Sequence, residues 1–88
     1  MLQNSLKKAD VLMGQVLRET RVRTAMTQQE LADCACISFQ QIQKYESGVN
    51  RVSISRLFDL SNALGVKVSE LITAVENRLE QSDETCPK

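Results

Sequence analysis

Histidine is absent from the 88-residue sequence, and with it go the commonest general base and the commonest zinc ligand. Proline occurs once, at Pro87, and glycine three times, at Gly14, Gly48 and Gly65. The only aromatic residues are Phe39, Tyr45 and Phe58. A chain so poor in breakers and aromatics is expected to be helical throughout. Its longest uninterrupted apolar run is the four residues Cys34–Ile37, which is too short for a transmembrane helix or a signal-peptide core. The three cysteines, Cys34, Cys36 and Cys86, are odd in number and include a C-x-C pair. That pattern suits neither a disulfide framework nor a four-ligand zinc site. Reduced thiols of a cytoplasmic protein are the expectation, with a redox role for Cys34 and Cys36 as the alternative. Without histidine, the scattered Asp and Glu residues form no nucleophile–base or metal-binding set. No enzymatic activity, cofactor or metal is expected.

What remains is a single small domain, since an apolar fraction of 42% over 88 residues supplies one modest core. Eleven basic residues balance eleven acidic ones, but unevenly. Residues 1–67 hold nine basic and six acidic side chains, residues 68–88 two and five. A basic face at one end of the molecule is compatible with overall neutrality.

The pattern predicts five helices. The first is expected from Asp10 to Thr24 with Val11, Leu12, Val16, Leu17 and Thr20 inward, preceded by a flexible basic arm over residues 1–9 that includes Lys7 and Lys8. Thr27-Gln28-Gln29-Glu30 has the form of a capping box, and the short helix behind it turns Leu31, Ala32 and Ala35 inward. A second cap, Ser38-Phe39-Gln40-Gln41, stands so soon after Ala35 that the two helices must be joined by a tight turn at Cys36–Ile37. This is helix-turn-helix spacing. The third helix stops at Gly48, and a fourth, capped by Ser53, carries Leu57, Leu60 and Leu64 before Gly65. A fifth opens at Ser69-Glu70 with Ile72, Val75 and Leu79 at helical spacing, and residues 82–88 are expected to form a disordered acidic tail.

The third helix has two unlike faces. Ile42, Tyr45 and Glu46 share one, whereas Gln40, Gln43, Lys44 and Ser47 share the other. A glutamine can pair bidentately with adenine, and a lysine can donate to guanine O6 and N7. Gln40 and Lys44, four residues apart, would address successive base pairs, and Phe39 at the flank suits a thymine methyl. A solvated polar face is the plainer reading of the same pattern. Around this face, Gln28 at a helix N-terminus and the loop residues Asn50, Arg51 and Ser53, together with Gln41, are placed to meet phosphates.

The stretches Leu17–Ala32, Ile37–Gly48 and Ala63–Val66 resemble the Cro/repressor-type (XRE) helix-turn-helix family over about residues 10–72, in wording close to short alphaproteobacterial regulators. The resemblance implies an all-α, five-helix, phage-repressor-like domain over residues 10–81, with an extended fifth helix. It implies that the domain binds operator DNA as a homodimer, with residues 39–47 in the major groove. By position, Gln28 would meet a phosphate, Phe39, Gln40 and Lys44 would face bases, and Arg21 and Glu46 would form an internal salt bridge. One departure stands out: the family usually has glycine in the turn, and this chain has Cys36. If that residue is left-handed, it costs about 1 kcal/mol relative to glycine.

Ile72, Val75 and Leu79 are the expected dimer interface, although the same stripe could pack on the domain's own core. The leading function is therefore a dimeric, sequence-specific transcriptional regulator. The alternatives are an antitoxin-type repressor whose C-terminal segment grips a second small protein, and an interaction module without DNA binding. No membrane and no small-molecule ligand is implied.

Overall fold

The computed structural model describes the backbone of residues 2–82 and the side chains of residues 8–81. Within them the chain folds into α1 (Leu2–Arg23), α2 (Gln28–Ala35), α3 (Phe39–Ser47), α4 (Ile54–Leu64) and α5 (Val68–Ser82), with no strand among the described residues. Each short helix starts at a side-chain cap. Thr27 Oγ1 accepts from the Glu30 amide while the Glu30 carboxylate accepts from the Thr27 amide. Ser38 and Ser53 likewise accept from the amides of Gln41 and Arg56. Left-handed residues end the helices: Gly48 and Gly65 as the sequence implies, and also Ala25 and Cys36, at φ 62° and 58°.

α1 packs against α3 and α5, and α2 packs against α3 and α4. The core at their meeting comprises Met13, Val16, Leu17, Leu31, Ala32, Ala35, Ile37, Ile42, Tyr45, Leu57, Leu60, Leu64, Leu71 and Val75. Buried Thr20 donates its hydroxyl to the Val16 carbonyl, 2.8 Å away. Leu12, Val66 and Val68 pack at the margin.

Two expectations are corrected here. α1 begins at Leu2, not at Asp10, so residues 2–9 continue a helix in place of a flexible arm. Neither glycine nor proline interrupts residues 1–13, and a helix fixed by packing further along propagates at little cost through Leu, Gln, Lys and Ala. Of the expected inward face of α1, Val16, Leu17 and Thr20 are buried and Leu12 packs at the core's margin, and one position differs. Val11 is 40% exposed and Met13 is buried, because α1 touches two neighbours, which widens and shifts its buried arc. The expected tail beyond Ser82 lies outside the described residues.

Candidate nucleic-acid interface

The helix pair that would carry the interface is set by its turn. Cys36 is left-handed (φ 58°, ψ 44°), the conformation in which a non-glycine residue is strained by roughly 1–2 kcal/mol. The turn is closed by the Ile37 amide donating to Ala32 O at 2.9 Å and the Cys36 amide to Asp33 O at 3.3 Å. Ile37 is buried, so its side chain pins the turn to the core while Ser38 starts α3.

On α3, Ile42 and Tyr45 are buried and Gln40, Gln43, Lys44 and Ser47 are exposed. Phe39 and Gln41 are half-exposed on its first turn. The expected division between an apolar inner face and a polar outer face is therefore present at every one of these positions.

The inner carboxylate is fully engaged. Arg21 grips Glu46 with two donors, Nε to Oε2 at 2.6 Å and Nη2 to Oε1 at 3.1 Å, and its Nη1 donates to the Met26 carbonyl at 2.8 Å. The two side chains are only 11% and 5% exposed. Burial makes this paired, hydrogen-bonded geometry necessary, since either charge alone would be stranded away from water. One guanidinium thus ties α1, the α1–α2 turn and α3 together. Gln28 joins the same cluster by donating Nε2 to Glu46 Oε1 at 2.9 Å. The sequence places Gln28 at a phosphate; in the fold, one of its carboxamide hydrogens is already committed to the protein.

The loop after α3 is folded back on that helix, with the amides of Val49 and Asn50 donating to Lys44 O at 3.0 and 3.3 Å. Arg51 Nε donates to Asp10 Oδ2 at 3.0 Å. Ser53 is exposed at the start of α4, where its hydroxyl oxygen is the cap.

The proposed dimer residues separate. Val75 is 7% exposed within the core, and Leu79 packs at the core's margin. Ile72 is 39% exposed, and Leu79 is half-buried. α1 packs along α5, and Val75 is taken up by the domain's own core. A residue not singled out from the sequence, Phe58, is 54% exposed. It lines a shallow groove between α4 and α5 with Val66, Val68 and Ile72.

Gly14 was likewise missed. A β-carbon there would overlap the Tyr45 carbonyl oxygen and lie 2.9 Å from that of Glu46. The absent side chain lets α1 close on the backbone of α3. An isolated glycine inside a helical pattern is the available sign of such a contact. No group of three potential metal ligands occurs among the described residues.

Two short capped helices joined by a tight left-handed turn, the second with a polar outer face, define a helix-turn-helix unit. The chain belongs to the helix-turn-helix family, whose description matches residues 17–71, more than half of its length. It is 37% identical over 84 residues to a transcriptional regulator in the ATPase CF(0) region of Rhodospirillum rubrum, covering 96% of this chain and 78% of that one. It is 44% identical over 71 residues to an HTH-type transcriptional regulator of Sinorhizobium medicae, covering 78% of this chain and 51% of the relative. The chain spans about half the length of that protein and of similar regulators from Rhizobium meliloti and Sinorhizobium fredii. Among solved structures it superposes on the clp gene regulator ClgR of Corynebacterium glutamicum with a TM-score of 0.78 at 25% identity, covering 81% of this chain and 92% of that one. For the restriction-modification controller protein C.AhdI of Aeromonas hydrophila the TM-score is 0.68 at 31% identity, covering 69% and 92%. The protein has the helix-turn-helix DNA-binding fold, and the relatives it matches are transcriptional regulators.

Proposed function

We propose that the protein is a sequence-specific, cytoplasmic regulator that binds a two-fold symmetric operator as a homodimer, with α3 in the major groove. The observation that carries this reading is the outer face of α3: Gln40, Gln43 and Lys44 are all exposed on a helix whose other face is locked by the Arg21–Glu46 pair. Side chains held on a rigid element can discriminate bases, because misplacement by a fraction of a helical turn would lose bidentate pairing. Phe39 flanks them for a thymine methyl. Arg51, Asn50, Ser53 and Gln41 meet phosphates around that face. The free amides of Gln28 and Gln29, which have no intrahelical acceptor, do the same at the start of α2.

For the dimer, the interface is moved from the Val75 stripe to the groove bearing Phe58 and Ile72. Two large apolar side chains exposed side by side favour a self-complementary contact. The same groove supports the second reading, in which a small partner protein occupies it as in antitoxin-type repressors. Selection from a random duplex library at near-physiological salt, with sedimentation of the free protein, tests both. Enrichment of a symmetric site with half-sites about 34 Å apart is the expected result. A monomer that enriches nothing and binds duplex only weakly would favour the partner-bound reading.

A further inference from the structure

The loop that leaves α3 rests on the middle of α1. A β-carbon on Gly48 would come within 3.0–3.1 Å of Val11, so α1 is seated flush on the end of α3. The residue before Val11 is Asp10, and this seating brings its carboxylate to Arg51, 41 positions further along the chain. Only Nε of the guanidinium takes part in the bond to Asp10. Nη1 and Nη2 belong to a side chain that is 68% exposed, whereas the Asp10 side chain is 23% exposed. The acid is the more covered of the two groups, and the arginine is the more open to solvent.

As a surface ion pair the contact contributes little to stability, so stability does not account for it. Its consequence is orientational. A free arginine loses rotamer freedom when it meets a phosphate. One whose Nε is already fixed has lost part of that freedom and presents its remaining fork in a set direction. The Asp10 charge opposes the phosphate, but at this exposed pair water and salt screen it.

We propose that Asp10 is a positioning residue for DNA backbone binding, holding Arg51 so that its two Nη groups face a phosphate. The proposal rests on the reading that α3 enters the major groove with the α3–α4 loop beside a strand. Phosphate contacts carry no sequence information, so a labelled duplex of roughly 20 mixed-sequence base pairs serves as probe, titrated between about 50 and 200 mM salt.

Asp10→Ala should bind about two- to fivefold more weakly at fixed salt. Asp10→Asn, whose carbonyl oxygen still accepts from Nε, should match the wild type or exceed it. Arg51→Ala should weaken binding and lower the salt slope by about 0.9, and adding Asp10→Ala to it should change nothing more. Unfolding temperatures are measured alongside. Binding by Asp10→Ala as tight as, or tighter than, wild type while Arg51→Ala is impaired would overturn the positioning role alone. Equal losses in both Asp10 variants that track a lowered unfolding temperature would overturn it too, in favour of a structural role. An Arg51→Ala protein with wild-type affinity and slope would instead remove the phosphate contact itself, and with it the docking on which the proposal rests.

Discussion

The α2–α3 pair adds polar ties to its share of the apolar core, whereas the α1–α5 pair relies mainly on apolar contact. α2 and α3 are short and capped by Thr27 and Ser38, and α3 is tied through Glu46 to Arg21 and Gln28. α1 and α5 are long, pack through apolar stripes, and add a Glu19–Arg78 ion pair at the surface. Directional bonds fix the angle of a short helix, which apolar contact alone leaves free to slide. Apolar contact along a long helix supplies burial without needing that precision. The outer face of α3 is therefore fixed by polar geometry, and the frame behind it by area.

If that contrast is right, removing a polar tie should cost most at α3. Glu46→Ala strands the Arg21 guanidinium in a site where it is only 11% exposed. The expected loss is about 3 kcal/mol in denaturant unfolding, with specific DNA binding lost beyond what the unfolded fraction explains. Gly14→Ala comes next. The helix propensity of alanine gains about 1 kcal/mol, but the overlap with the Tyr45 carbonyl oxygen forces α1 away from α3. A net loss of about 2 kcal/mol is expected, read as a lowered denaturation midpoint. Cys36→Gly should have the opposite sign. Relief of the left-handed strain outweighs the added freedom of the unfolded chain, leaving a gain of about 0.5–1 kcal/mol in the same measurement.

The smallest effect belongs to α1–α5. Hydrogen bonding to Arg78 holds the exposed Glu19 carboxyl below its ordinary pKa of 4.5. A depressed folded pKa means the contact stabilises above the ordinary value and is lost as pH falls through the folded one. The difference in melting temperature between Glu19→Gln and wild type should be small near pH 7 and should vanish in more acidic buffer. A difference that grew on acidification would contradict the assigned pairing.

Much of the α2–α3 pair was legible in the sequence, because its determinants are local. A cap and its amide lie three residues apart, as in Thr27 and Glu30, and a helix stop such as Gly48 is a single residue. The faces of α3 followed from one periodicity, since only one side of it is covered. The α1–α5 layer was less legible. Which of Val11 and Met13 is buried, and whether Val75 faces the core or a partner, depends on how α1 is shared between α3 and α5. Such sharing is a long-range property. Asp10 and Arg51, 41 residues apart, and Gln28 and Glu46, 18 apart, meet only once the helices are seated, and no local pattern marks them. The start of α1 is not marked locally: the polar residues before Asp10 suit an exposed arm as well as a helix, and nothing in them breaks a helix.

The central claim is that the outer face of α3 reads bases, and Lys44 tests it most directly. Duplex selection repeated with Lys44→Ala should return the same half-site spacing with preference lost at one base pair per half-site. The affinity for the wild-type site should fall by ~1–3 kcal/mol. An unchanged preference at every position, at unchanged affinity, would show that α3 does not face the bases in this way.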